Sequence, residues 1–494
     1  MIRVLGSHKR FCDGLTRRDL LQIGALGPLG LSLAGYAQAR EAVQAARPAA
    51  AGFGRAKRCI LLYLWGSPSQ HDTWDPKPDA PPEVRGELGS IPTRLAGVRV
   101  GESFPQTARL LDRITVVRSL THPYPIHGTA YATTSIPTTN LTIENEPHDR
   151  RQWPFVGSVV EYLGDRAGAS ADVPRNVLLP FPFGSRRGPA RSGPFGGFLG
   201  PTFDPVPTNF TAKGTREVPR NAGHGVADRM IADPYVGIRP TDRFELGAMP
   251  DELTVDRLDG RASLLAQLDG QRRQADSLAD GGAFDRHRAL ALSVLTSGRL
   301  RDGIDVQREP TSLRERYGMT LFGQSCLAAR RILEAGGTFA TVCWDEFGLV
   351  NTGWDTHVYH HPRMKDELGP GFDRAFTALL LDLEARGMLA DTAVLAFSEH
   401  GRAPQVQKVP GGGRDHWSRA YSAVFAGGGF AGGRVVGRTD QLGGDVAETP
   451  VSPKDILATL YHLLGIDSET MLTDRQGRPV PVAGEGRVRA ELVA

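Results

Sequence analysis

Acidic and imidazole side chains gather in four short stretches of this chain: "HDTWD" (71–75), "GWDTH" (353–357), "SEHGR" (398–402) and "GRDHW" (413–417). Carboxylates and neutral imidazoles are the donors that a divalent cation such as zinc or manganese takes, and two such ions can bracket the attacking and leaving oxygens of a displacement. A lone Asp-x-His in a loop reads as an Asx turn beside a solvated histidine. Four such stretches at predicted strand ends read as one shared metal or anion site. The candidate ligands are Asp72, Asp75, Asp355, His357, Glu399, His400, Asp415 and His416. His360, His361 and His462 fall outside the clusters and read as surface or packing residues.

A reacting or anion-holding group is the remaining requirement. "THPYPIHGTAYATTS" (121–135) leads into small residues able to start a helix, whose N-terminus attracts anions, and offers His127, Thr129 and His122. Arg402 of "SEHGR" joins His127 and Thr129 as a catalytic candidate. Gly427, Gly429 and Gly432 fit Gly-x-Gly-x-x-Gly, but "GRVVG" follows and reads as a strand, not the helix that a dinucleotide site needs. No Gly-x-Ser-x-Gly elbow and no phosphate-binding Gly-Lys-Ser/Thr loop occurs.

These stretches must be positioned by regular elements. "RCILLYLWG" (58–66), "RITVVRSL" (113–120), "FATVCW" (339–344), "TAVLAFS" (392–398) and "SAVFAGG" (422–428) are short apolar runs of strand length. Phe372, Phe376, Leu379, Leu380 and Leu383 recur at helical spacing in a segment closed by Gly387, and "LFGQSCLAARRILEAGG" (321–337) predicts a second helix. This alternation predicts an α/β sandwich with a mostly parallel sheet, whose ligands bind at the carboxyl ends of the strands. Residues 180–245 lack periodicity and read as a loop-rich insertion or lid. Residues 251–310 read as helical, and the tail after Leu472 as turns with a short edge strand.

With 494 residues and 40% hydrophobic content the chain can bury a sizeable core. Its net charge of +3 selects no nucleic-acid partner. Thr16, Arg17 and Arg18 precede an apolar run from Leu20 to Leu33 and a small-x-small end at Ala37–Ala39, the pattern of a twin-arginine signal peptide over 1–39. The run is interrupted by Gly24, Gly27, Pro28 and Gly30 and is short against the about 20 residues of a bilayer span, so no stable membrane insertion is expected after cleavage. A linker over 40–54, a folded domain over 55–480 and a tail over 481–494 complete the expected organisation, in the periplasm or outside the cell. Cys59, Cys326 and Cys343 sit in apolar settings without a Cys-x-x-Cys pattern and read as buried thiols.

"TRRDLL", "LYLWGSPSQHDTWDPKPDAP", "YGMTLFGQSCLAARRILEAGGTFATV", "GWDTH", "DTAVLAFSEHGRAP" and "GRDHW", in this order, resemble the bacterial domain-of-unknown-function family 1501, exported proteins placed in the alkaline phosphatase and sulfatase superfamily. The resemblance covers residues 16 to about 480. It implies an alkaline phosphatase/sulfatase-like α/β/α sandwich and one or two divalent metal ions per chain, zinc, manganese or calcium. By this analogy Glu399, His400, Asp355, His357 and His416 are ligands, with Asp415 a partner of His416. β-strand "ILLYLWG" ends in Gly66 where the phosphatases place a metal-binding Asp, so Asp72 or Asp75 is expected to reach in from the loop. The phosphatase Asp-Ser-Ala is absent, and the sulfatase-like "SIPTR" (90–94) lies in a predicted hairpin, so the match is taken as chance. "IHG" stands at the expected helix start, making His127 a phospho-acceptor or acid/base candidate. The resemblance implies a metal-dependent hydrolase of phosphate or sulfate esters, with sulfated polysaccharide among the substrates. Its alternative is a catalytically degenerate sulfatase-like protein that binds glycans or a cell-envelope partner.

Overall fold

The structure is a computed structural model, and it describes residues 51–139, 141–167, 173–186, 190–221, 228–246, 298–348 and 353–494. The expected signal peptide, the linker up to residue 50 and the helical reading of 251–297 lie outside the described residues. Among the described residues no helix is long and apolar enough to cross a membrane.

The apolar runs form the strands of one eight-stranded sheet: β1 (Arg58–Leu64), β2 (Ile114–Leu120), β3 (Asn176–Leu179), β4 (Val206–Pro207), β5 (Phe339–Trp344), β6 (Thr392–Phe397), β7 (Tyr421–Ala426) and β8 (Arg434–Val436). Their order across the sheet is β8-β2-β7-β6-β1-β5-β3-β4. β1 lies near the centre and pairs in parallel with β6 and β5, so that Tyr63 sits between Phe397 and Cys343. Only β7 runs antiparallel, against both β6 and β2. Because β7 is reversed, the loop that precedes it opens at the same end of the sheet as the loops that follow β1, β5 and β6. All four acid and histidine stretches are thereby brought to one end.

Continuous apolar runs are what a strand covered on both faces requires. Along β1, Ile60, Leu62 and Leu64 join one buried cluster while Cys59, Leu61 and Tyr63 join the other. On the first face pack α2 (Leu321–Glu334) and α3 (Gly369–Ala385), through Phe322, Cys326, Phe372, Phe376 and Leu383. On the second pack α1 (Val156–Arg166) and α4 (Pro453–Leu463), through Val156, Val159, Ile456, Leu457 and Tyr461. The result is the expected α/β/α sandwich with a mostly parallel central sheet. Among the described residues Cys59, Cys326 and Cys343 are buried and free.

Helix ends follow local chemistry. Thr320 caps α2 by accepting a hydrogen bond from the Gly323 amide, and Ser452 and Asp455 form a reciprocal capping box at the start of α4, with Pro453 in its first turn. Gly387, at φ +67°, turns the chain after α3 toward β6. "SIPTR" does lie in a hairpin, Ser90–Pro92 pairing antiparallel with Arg99–Gly101. In the loop-rich region β4 adds to the sheet edge, and Glu217–Asn221 pairs with Asp228–Ala232 as a two-stranded ribbon. The tail forms a hairpin from Met471–Thr473 and Pro479–Pro481.

Candidate metal centre

β1 ends in a left-handed turn, Gly66 at φ +91° and Ser67 at φ +78°. A Cβ on Gly66 would fall 2.3 Å from the Asp355 amide nitrogen, so no residue with a side chain fits there, including the aspartate that the phosphatases carry. The turn acts through its backbone. The Gly66 amide donates to Glu399 Oε1 at 2.9 Å, and the Ser67 and Ser398 hydroxyls meet at 2.6 Å, with Ser398 donating to Glu399 Oε2 at 2.9 Å. Glu399, the first residue of the loop beyond Ser398 at the end of β6, is thus clamped by β1. This clamp explains why an apolar strand runs straight into a carboxylate.

Around Glu399 converge His127, Asp355, His357, His400 and His416. His357 Nε2 lies 3.0 Å from His416 Nε2, and Asp355 Oδ1 lies 3.1 Å from the first and 3.2 Å from the second. His400 Nδ1 donates to the Gly401 carbonyl at 2.8 Å, and His357 Nδ1 lies 3.2 Å from Asp415 Oδ1. An imidazole whose Nδ1 hydrogen is held by an oxygen presents a bare Nε2 lone pair. For His400 that Nε2 is buried and has no partner among the described residues. Ligand atoms of His127, His400 and His416 lie within 4.8 Å of one another, as do those of Asp355, His357 and His416. Two donor groups sharing His416, with tautomers set by oxygen acceptors and one buried nitrogen left orphaned, fit a divalent cation.

Electrostatics agree with that fit at His400 and His416, while His127 is held cationic. Burial pulls the His400 imidazole well down, and pulls His416 down against the opposing pull of Asp355, keeping both neutral as ligands must be. Burial alone would raise Asp355, but Arg402 and His127 hold it well below the usual carboxylate range. Glu399 is likewise held low against burial by His127 and His400. Burial would lower His127, yet Asp355 at 3.4 Å from Nε2 and Glu399 at 2.9 Å from Nδ1 push it up to about 9. Its ring stacks on Trp65 at 4.4 Å, and Arg191 lies over the other side of the contact, 3.6 Å from the Trp65 ring.

Several expected residues stand elsewhere. Asp72 does not join the centre: its Oδ2 accepts from Ser69 at 2.6 Å and Arg414 Nε at 3.0 Å, and meets His360 Nε2 at 2.8 Å. Asp75 is bound to Thr439, Lys77 and Arg118, a set of partners that neutralises it inside the loop. Asp415 stands one step out, orienting His357, with its side chain about half exposed. Arg402, expected among the reacting groups, is fully buried as a strut: it donates to Asp355, to the Gly66 and Ser67 carbonyls and, at 3.1 Å, to the Arg414 carbonyl. Thr129 is buried in the short helix Thr129–Thr133, where Tyr63 lies against both it and Glu399. His360 and His361 are buried, not on the surface. Trp65, Ser67 and Arg191 carry no spacing pattern of their own, being an apolar, a hydroxyl and an insertion residue, while Arg414 lies inside "GRDHW" beside the more conspicuous Asp415 and His416. "WGS" directly after an apolar strand is the one local signal for the first two.

The fold and the site define an α/β/α protein that gathers histidines and carboxylates at the carboxyl ends of a parallel sheet. The chain belongs to the family described as "Protein of unknown function (DUF1501)", which matches residues 56–493. Among solved structures it is similar to Ps i-CgsB, at 11% identity over 83% of this chain and 72% of that chain, with a TM-score of 0.37. It is similar to the lipoteichoic acid synthase LtaP from Listeria monocytogenes at 12% identity, over 88% and 76% of the two chains, with a TM-score of 0.33. The phosphonate monoester hydrolase SpPMH from Silicibacter pomeroyi is similar at 9% identity, over 87% and 75%, with a TM-score of 0.34. No curated protein matches the chain.

Proposed function

We propose that this chain is an exported metal-dependent hydrolase of phosphate or sulfate esters, sulfated polysaccharide among its candidate substrates. The observation that carries the reading is the pair of donor groups at the strand ends that share His416, one with Asp355 and His357 and the other with His127 and His400. Asp355, His357, His400 and His416 would hold one or two cations, and the nitrogen-rich donor set suits zinc or manganese and disfavours calcium, which takes oxygen ligands. A bound cation supplies Lewis-acid polarisation of an ester oxygen. The protein's own share is positioning and charge. Glu399, fixed by the Gly66 amide, sets the His127 ring, and the Trp65 face limits its rotation. His127 is the partly exposed cationic group of the cluster, able to hold an anionic ester or pass a proton to a leaving oxygen.

The test is metal analysis of the purified protein together with a panel of phosphate and sulfate monoesters and diesters. Stoichiometric metal with turnover of one ester class supports the reading. Stoichiometric metal without turnover leaves the binding-only alternative, and absence of metal after loading with zinc or manganese overturns the metal assignment. The export part is tested by replacing Arg17 and Arg18 with Lys, which should leave uncleaved precursor in the cytoplasm; normal processing and periplasmic recovery would remove the twin-arginine assignment.

A further inference from the structure

Beneath the loop that carries Asp355 and His357 runs a second chain of buried polar groups. Thr356, between those two residues, meets His360 Nδ1 with its hydroxyl at 2.6 Å. His360 Nε2 meets Asp72 Oδ2 at 2.8 Å. Asp72 in turn accepts from Arg414 Nε at 3.0 Å and Ser69 at 2.6 Å. Thr356, His360, Asp72 and Arg414 are all at most 2% exposed. Donor and acceptor roles follow from chemistry alone. An ionised Asp72, paired with Arg414, can only accept, so His360 donates through Nε2; burial keeps the imidazole neutral, so its Nδ1 accepts and the Thr356 hydroxyl donates. Every proton in the chain then has one place. The other end is tied as well, because the Arg414 carbonyl accepts from Arg402, which donates to Asp355.

We propose that Asp72, His360 and Thr356 are positioning residues, a buried hydrogen-bonded chain that holds the Asp355–His357 loop in register for cation binding; this rests on the metal reading given above. The three come from the loop after β1, from the helical turn His360–Arg363 and from the ligand loop itself, so the chain joins segments that the sheet alone does not hold together. Outer partners of this kind typically change metal affinity by about 10–100-fold when removed. Groups that act as one chain are non-additive, since breaking it once releases the loop.

The test uses the full chain in its parent form and as Thr356→Val, Thr356→Ser, Asp72→Asn and the Thr356→Val/Asp72→Asn double variant. Zinc affinity is measured by competition with a chromogenic chelator, and amide hydrogen exchange of the peptide spanning 353–359 is measured on metal-free protein. Thr356→Val and Asp72→Asn should each weaken zinc binding by about 10–100-fold and speed exchange of that peptide. Thr356→Ser, which keeps the hydroxyl, should stay within about threefold of the parent, and the double variant should be no weaker than the worse single. Parent-like affinity and exchange in Thr356→Val would overturn the proposal, as would losses that add in the double variant. Should Asp72→Asn fail to fold because Arg414 loses its partner, Thr356→Val still decides. A parent protein that binds no zinc sinks the metal reading instead, and the exchange of Thr356→Val against Thr356→Ser then decides the positioning role by itself.

Discussion

His400 illustrates how a single side chain can trade stability for binding. Its Nδ1 is held by the Gly401 carbonyl while its Nε2 is buried without a partner among the described residues. A buried unpaired polar atom costs about 1–3 kcal/mol. Replacing His400 with Leu should therefore leave the metal-free protein as stable as the parent or more so, while lowering zinc affinity at least tenfold. Urea unfolding of the metal-free proteins beside a zinc titration checks both halves, and a destabilised variant with full zinc affinity would make His400 a packing residue. Asp355→Ala should behave differently. It removes the acceptor of both Arg402 and His127, so metal binding and stability should fall together, the latter by about 3–5 kcal/mol because a buried charge loses its partner.

Among the elements, the turn after β1 and the cap of α4 lie at opposite ends of the functional scale. Ala at position 66 would adopt φ +91° at about 1–2 kcal/mol of backbone strain and would push its Cβ into the Asp355 backbone. Gly66→Ala should thus displace the ligand loop, seen as lost zinc binding together with a lower Tm. Ser452→Ala removes one half of a capping box whose hydrogen bonds run only between Ser452 and Asp455. It should lower stability by about 1 kcal/mol with zinc affinity unchanged, which a denaturation curve and the same titration would show. A loss of zinc binding in Ser452→Ala would mean that the start of α4, joined through Val451 to the end of β2, helps to hold the centre, contrary to this division of roles.

For the whole molecule, pH exposes what burial has done to its histidines. Burial lowers His71, His122 and His360 to about 4 each, against an ordinary value near 6.5 in the unfolded chain. Between pH 4 and 6.5 the unfolded chain binds more protons than the folded one at these positions. Stability must then rise with pH across that window and fall on acidification. Glu144 opposes them: burial raises it to about 7, so its contribution is present at low pH and lost as pH rises through 7. His71, His122 and His360 together should therefore contribute stability to the metal-free protein that grows from pH 4 to 6.5. His71→Gln should flatten that rise, and an unaltered slope in urea midpoints would show that His71 is not held neutral in the folded state.

Much of this architecture is local and therefore written along the chain. The runs at 58–66, 113–120, 339–344 and 392–398 became β1, β2, β5 and β6 because a strand buried on both faces must be apolar throughout. The helix ending before Gly387 followed from apolar spacing and a left-handed glycine. Glu399 and His400 were visible as polar residues at a strand's mouth for the same reason. Partnership among the clusters was not local. "HDTWD" and "GRDHW" have equal standing as sequence, yet the structure turns Asp72 toward Arg414 and His360 and His416 toward Asp355. Arg402 looks like a catalytic cation until its donors are seen to end on backbone carbonyls, Asp355 and the His357 ring. Composition and spacing determined which residue types could meet a cation. Only strand order, the reversal of β7 and the left-handed turn at Gly66 decided which of them do meet, because those distances are set by segments from 59 to 333 residues apart in sequence.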